Sequence, residues 1–479
     1  MEKLKVGYVG VAINSYFAQE HNQYERAIKG LETLAKQWNF DLVPIHHGLL
    51  NAEQAEAATR ELQDQKIDFL LLENAACSMG EQLIPLSKAA PRLGLWATPD
   101  PKQEGDIQIH SVVAMSQYAS IMKRYLGHHD IPYKWFYGHV EDERFQKRLG
   151  ITIRSLTAIK NMAQAKIGWI GGLSPGFYDM VVDERKLEER FGSRVFAHEL
   201  GEVVALAKTY GEDKAVVIAG EMKAVASEVR VNDAAMVKGS RVYMALKEIA
   251  ERNGYSAMAV ECWPKFQAMY GVAPCLAYSW LGSEDGLAVA CEGDVQGAMS
   301  MLLLNYLSGK QGSSTLLDMT ALDPDSGTMM MWHCGVSPRH FANKDGIKWV
   351  NHTTLGRKSP EGTIYGVAGD QVFGAQDTTV TYVGDNAATL LVLRSQIVER
   401  DVKGFDGTRG WFSQFELNQE PINMWDLLNT LTVRGHEHHY AVGQGDVTNE
   451  LLELATWLKM RTIEKIPMRD YVQIEGVNC

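Results

Sequence analysis

The sequence predicts an α/β protein: two tandem doubly wound, Rossmann-like α/β domains followed by a β-rich, barrel-like C-terminal domain. Three observations lead there. Short apolar runs alternate with amphipathic stretches up to about residue 160, and the alternation restarts at Lys166. After about residue 340 the composition shifts toward Gly, Thr, Val and Asp in short runs separated by turn residues.

The first segment reads in order as KVGYVGV, a helical NQYERAIKGLETLAKQW, DLVPIHH, a helical AEQAEAATRELQDQ and DFLLLEN, which is a βαβαβ pattern. Runs such as Phe69 to Glu73 lack in/out alternation, as expected of strands covered on both faces. Ligands gather at strand C-termini in such sheets, so Asn14, Glu73, Asn74 and the loop Trp96 to Pro101 hold pocket positions. The second segment opens with KIGWIGG, passes through a helix near 180–190, resumes with a strand-like KAVVIAG and enters the helical VYMALKEIAERNG. The third carries GTIYGVAGDQVFGAQDTTVTYVGDNAATLLVL and closes with a helix from Asn449 to Met460. The expected domains are 1–165, 166–340 and 341–479.

Composition excludes several classes. The 479 residues are 46% hydrophobic and 22% charged, which suits globular domains and argues against disorder, collagen or a coiled coil. The formal net charge of −12 opposes broad contact with phosphate backbones, so no nucleic-acid partner is expected. Six scattered cysteines form no CxxC pair, which fits a reducing cytoplasm better than a disulfide framework or a zinc ribbon. The N-terminal run is broken by glycine and asparagine and does not read as a signal peptide. The longest candidate span, Gly297 to Leu307, is about half the ~20 apolar residues a membrane helix needs, so no membrane partner is expected. Neither GxGxxG after a strand nor GxxxxGK[ST] occurs, which disfavours nicotinamide and P-loop nucleotide binding.

Three apolar runs each deliver a potential ligand at their C-terminal end: GLAVACE ends in Glu292, STLLD in Asp318 and TMMMWH in His333. The densest imidazole cluster follows at His436, His438 and His439. Two carboxylates with one or two imidazoles make a hard-to-borderline site suited to Mn2+ or a related divalent ion. Blander readings stand beside this one. Asp294 reads as the N-cap of the helix that follows it, Asp323 and Asp325 as turn acids, and the histidines as a solvated loop. Trp96, Trp263, Trp280, Trp332 and Tyr440 are candidate sugar platforms or core, and Glu261 is a further strand-end acid. Arg339, Arg357, Arg434 and Lys265 are candidate partners for an anionic substrate group or surface charges.

CEGD at 291–294, LLDM at 316–319, WHCG at 332–335 and HEHHYAVGQG at 436–445 resemble the metal-site segments of the L-fucose isomerase and L-arabinose isomerase superfamily. The resemblance implies a metal-dependent aldose–ketose isomerase working through an ene-diol. It implies Glu292 and Asp318 as catalytic and metal-binding acids, and His439 and His333 as metal ligands. His438 neighbours substrate, and Mn2+, Co2+ or Mg2+ is the ion. It implies a homo-oligomer, hexamer or tetramer, with Gln19, His21 and Asn22 reaching across an interface. The substrate is a fucose- or arabinose-type sugar or a C6-modified hexose such as sulfoquinovose. The competing readings are a non-catalytic sugar-binding protein or sensor, and an epimerase or aldolase on the same metal site.

Overall fold

The computed structural model describes residues 2–354 and 366–476, so Arg357 and Cys479 lie outside the described residues. The chain packs as two units, Met1–Lys160 and Asn161–Cys479.

The first unit holds a parallel five-stranded sheet in the order β2-β1-β3-β4-β5. Its strands are β1 (Lys5–Val11), β2 (Asp41–Pro44), β3 (Phe69–Asn74), β4 (Leu93–Ala97) and β5 (Tyr133–Tyr137). Every residue of β3 is buried, which explains its unbroken apolar run. The helix Gln23–Trp38 turns Tyr24, Ala27, Ile28, Leu31, Leu34 and Ala35 inward, the three-and-four spacing of an amphipathic helix. At the C-terminal end of β3 the Tyr8 hydroxyl donates to Glu73 Oε2 at 2.5 Å. Burial raises the Glu73 carboxyl to about 8, with the Tyr8 hydrogen bond pulling the other way. Trp96 is core: its ring packs 4.5 Å from that of Phe145, and its Nε1 donates to Gly138 O at 2.7 Å.

The second unit holds a parallel sheet in the order β10-β9-β6-β7. It is built from β6 (Lys166–Ile170), β7 (Arg194–His198), β9 (Ala257–Val260) and β10 (Ala288–Ala290), with the short β8 (Glu228–Val229) paired elsewhere. Among the described residues a mixed sheet of eleven strands follows. It contains β11 (Ser314–Asp323), β12 (Thr328–His333), β13 (Lys348–Asn351), β14 (Val367–Val372), β15 (Gln376–Gly384), β16 (Thr389–Val398), β17 (Thr408–Leu417), β18 (Glu420–Pro421), β19 (His439–Gln444) and β20 (Arg461–Thr462), together with β8. Pairing runs β16-β15-β19-β11-β12-β17 and returns from β17 to β16, so six strands close a ring. This sheet starts at Ser314, ahead of residue 341, because β11 and β12 pair with β19 and β17.

The strand-like KAVVIAG is instead the middle of a helix, Glu212–Ala224. Its buried residues Ala215, Ala219 and Met222 recur at helical spacing, and Glu212 and Asp213 favour the positive end of the helix dipole. The helix expected near 180–190 is Glu184–Phe191, and the closing helix is Thr448–Trp457. A helix at Met424–Val433 was not read from the sequence. Among the described residues no helix is long and apolar enough to cross a membrane.

Candidate active site and metal centre

Four separate segments of the second unit meet at one point. The register of the large sheet sets Asp318 of β11 opposite His439 of β19 on one side and Trp332 of β12 on the other. His333 ends β12, and its ring centroid lies 5.5 Å from that of His439. Glu292 arrives from the other sheet, on a tight turn after β10.

The sequence Glu-Gly-Asp at this turn has a separate physical reason at each position. Glu292 sits in the left-handed region at φ 64°, a conformation costing about 1 kcal/mol or more in a residue with a side chain. Gly293 also has positive φ, and a Cβ there would stand 2.0 Å from Gly172 O. Asp294 caps the helix Val295–Ser308 by accepting from the Gly297 amide at 2.8 Å. The capping role expected for it is incomplete, because the same carboxylate also accepts from Tyr382 Oη at 2.9 Å and from His439 Nδ1 at 2.9 Å.

With Nδ1 engaged by Asp294, His439 turns Nε2 toward the acids, 3.3 Å from Glu292 Oε2 and 3.6 Å from Asp318 Oδ1. Burial works against charge on His439, but Asp294 and Glu292 hold its pKa well above the ordinary histidine range. Burial likewise opposes ionisation of Glu292, yet His438 and His439 bring its carboxyl down to about 2. For His333, burial is outweighed by Cys334 and Asp318, which raise it to about 9.

These groups fit a divalent ion. Glu292 Oε2, Asp318 Oδ1, His333 Nε2 and His439 Nε2 are all buried and have no hydrogen-bond partner. Donor atoms of Asp318, His333 and His439 lie within 4.8 Å of one another, as do those of Glu292, His438 and His439. Buried polar atoms left unpaired cost free energy, so their convergence marks a place for a ligand. Two carboxylates and imidazole nitrogen suit a hard-to-borderline cation.

His333 differs from His439 in one respect. The Cys334 amide donates to its Nδ1 at 2.9 Å, which leaves the proton of the neutral ring on Nε2.

A cavity of about 450 Å3 opens over Glu292, Asp318 and His333. Trp263, Trp332 and Phe177 line it, with Gln267, His352 and Thr354 as further polar groups. Trp263 is 40% exposed there, while the Trp332 Nε1 donates to Asp406 O at 2.8 Å. His438 stacks on Phe177 and its Nδ1 lies 2.7 Å from Asp179 Oδ2. Cys262 and Cys291 Sγ lie 3.0 Å apart, and Cys275 and Cys334 Sγ 3.8 Å apart, all buried beside the cavity.

Other sequence candidates fall elsewhere. Tyr440 follows His439 along β19, so it points to the opposite face and stacks on His436 within the core. Trp280 is core as well. Glu261 is fully buried and ion-paired to Lys265 at 2.9 Å. Arg339 pairs with Glu284, Arg434 with Glu475 and Asp323 with Arg400, while Asp325 sits in an exposed turn. In the first unit, Gln19 donates to Glu25 at 3.1 Å, His21 Nε2 lies 3.5 Å from Gln108 Oε1, and Asn22 takes a left-handed conformation ahead of the helix Gln23–Trp38.

Phe177, Asp179, Tyr382, Gln267 and His352 were missed. Phe177 and Asp179 carried a signal, since they follow the glycine-rich end of β6. Tyr382 carried none, being one of many apolar residues inside β15.

No protein-family model matches the chain. It is 25% identical over 469 residues to a sulfoquinovose isomerase of Priestia aryabhattai, covering 96% of this chain and 99% of the relative. A sulfoquinovose isomerase of Alkalicoccus urumqiensis is 26% identical over 373 residues, covering 77% of this chain and 80% of the relative. An L-arabinose isomerase of Shouchella clausii is 24% identical over 349 residues, covering 71% of this chain and 68% of the relative. Among solved structures, a solute-binding protein of an ABC transporter from Burkholderia multivorans overlaps at a TM-score of 0.17 and 12% identity, covering 65% of this chain and 96% of that one, a likeness too poor to bear on the fold. Similarity to sulfoquinovose isomerases, one of them over nearly the whole chain, and to an L-arabinose isomerase over part of it, supports an isomerase related to the sugar isomerase superfamily.

Proposed function

We propose that the protein is a divalent-metal-dependent aldose–ketose isomerase of a free monosaccharide, working through an ene-diol. The observation that carries this reading is the convergence of unpartnered buried atoms from Glu292, Asp318, His333 and His439 beside one cavity. A sugar-binding protein or sensor has no use for such a set.

Glu292, Asp318 and His439 would hold the ion, which we take to be Mn2+, with Co2+ or Mg2+ as alternatives. Such an ion would supply Lewis-acid polarisation of the sugar's oxygens. One carboxylate would take the C2 proton and return it to C1 while the other carries the O2 hydroxyl proton to O1, so that C1=O becomes C1–OH and C2–OH becomes C2=O; such acid–base help is worth about 10² to 10⁴ in rate. His333 presents Nε2 to the same space, where it either completes the ligand set or, protonated there while the Cys334 amide occupies Nδ1, donates a hydrogen bond to a substrate oxygen. His438, held by Asp179 and Phe177, flanks Glu292 at 3.7 Å and keeps that carboxylate ionised. Trp263 and Trp332 supply apolar faces for the sugar's C–H groups.

The relative matched over nearly its full length favours sulfoquinovose, a hexose with a sulfonate at C6, as the substrate. The family resemblance supports a homo-oligomer, and the buried free thiols suit a reducing cytoplasm. The test is incubation of the Mn2+-loaded protein in deuterated water with sulfoquinovose, L-fucose and L-arabinose, following ketose formation and exchange at C2. Ketose with exchange is the expected result. Binding without turnover, or exchange without ketose, overturns the isomerase reading.

A further inference from the structure

Gln267 lies on the short helix Lys265–Tyr270, is 8% exposed and lines the same cavity as Glu292 and Asp318. Neither its Oε1 nor its Nε2 has a hydrogen-bond partner. A buried amide left bare on both ends is unfavourable, so this side chain is built to meet a polar ligand. We propose that Gln267 recognises hydroxyl groups on the substrate carbons beyond C2 and so determines which polyols the site accepts. The proposal rests on the sugar-isomerase reading above.

The chemistry of the amide selects the ligand class. Its oxygen accepts and its nitrogen donates, so full satisfaction needs a group that does both. A sulfonate or phosphate brings acceptors only and would leave Oε1 facing negative oxygen. An ammonium brings donors only and would leave Nε2 bare. A hydroxyl, or better a neighbouring pair of hydroxyls, answers both ends. Lys265, two residues away, is already held by Glu261 Oε2 at 2.9 Å and Gly171 O at 3.4 Å. Trp263, Ala273 and Phe177 line the same cavity and suit the carbon face of a sugar chain. Glu292 and Asp318 take the C1–C2 end in our reading, which leaves Gln267 for the hydroxyls farther along. A site that pays for a buried amide in this way rejects analogues lacking the matching hydroxyl far more strongly than an apolar pocket does.

The experiment compares wild type with Gln267→Leu and Gln267→Glu. The first reading is kcat/KM for the substrate and for its 3-, 4- and 5-deoxy analogues. The second is calorimetric affinity for the corresponding alditols and for Mn2+. Wild type should lose about 10²-fold or more in kcat/KM on at least one deoxy analogue. Gln267→Leu should lose a comparable factor on the parent sugar and no longer discriminate against that analogue. Its alditol affinity should fall at least tenfold with Mn2+ affinity unchanged. Gln267→Glu, of nearly the same size, should fold and keep part of the discrimination, since it keeps the acceptor. Equal discrimination or equal alditol affinity in wild type and Gln267→Leu overturns the proposal. A wild-type protein that binds alditols yet isomerises nothing overturns the catalytic reading alone, and the calorimetry still decides the role of Gln267.

Discussion

The Nδ1 of His439 and the Oδ2 of Asp294 lie 2.9 Å apart, and both side chains are fully buried. Asp294 therefore joins three tasks: it caps the helix Val295–Ser308, accepts the Tyr382 hydroxyl and aims the His439 ring. Asp294→Asn separates them. Asparagine caps as well as aspartate, and its oxygen can keep Gly297 and Tyr382, so stability should hold within about 1 kcal/mol. Its amide nitrogen would then donate to His439 Nδ1, which forces the ring proton onto Nε2 and removes the lone pair facing Glu292 and Asp318. Mn2+ affinity should fall about 10- to 100-fold. Titration calorimetry beside thermal melts checks both halves, and an unchanged metal affinity would show that Asp294 is a cap only.

Glu292→Gln and Asp318→Asn remove a negative charge each while keeping shape. Turnover should fall by at least about 10³-fold in either variant, with circular dichroism unchanged. Wild-type-like rates in one of them would free that residue from its assigned role. Because Glu292 holds a strained backbone at φ 64° next to Gly293, the conservative change to glutamine is the informative one. Larger changes at this turn would mix chemistry with folding.

Much of this candidate site was legible in the sequence, its strand-end residues from their order and their roles from the family resemblance. Glu292, Asp318 and His333 each end an apolar run, and strand ends are where such sheets collect ligands. Residue order alone leaves His439 in a crowd with His436 and His438, and it was the family resemblance that chose it; of the three, His439 alone lies within β19. Alternation along β19 sends Tyr440 to the opposite face and into the core, the second of the two readings open to it. The helix Glu212–Ala224 was hidden because KAVVIAG is rich in β-branched residues, whereas its buried positions follow a period of 3.6. Gln267 gave no signal at all: a glutamine on a short helix becomes notable only when burial leaves both ends of its amide bare.

Removing the ion tests the metal assignment directly. Chelator-stripped protein should lose turnover and regain it with Mn2+ or Co2+, without unfolding in between. His333 separates ligand from donor. If its Nε2–H donates to substrate, His333→Gln should bind Mn2+ within a few-fold of wild type while kcat falls about 10²-fold or more. Loss of the ion in that variant would make His333 a ligand and would require its Nδ1 to release the Cys334 amide.

Glu73 gives a pH test that leaves the proposed chemistry aside. Its carboxyl is raised in the folded chain from 4.5 to about 8, chiefly by burial beside Tyr8. A raised acid favours the folded state while protonated, so its contribution is whole below about 4.5 and is lost as pH climbs toward 8. Every tenfold change in proton affinity is worth about 1.4 kcal/mol, so the loss is on the order of a few kcal/mol for so buried a group. Wild type should therefore melt lower at pH 9 than at pH 5 by a margin that Glu73→Gln largely removes, since glutamine still accepts from Tyr8 and cannot ionise. Parallel pH–stability curves for the two proteins would mean that Glu73 is already ionised at neutral pH, with its charge answered from elsewhere.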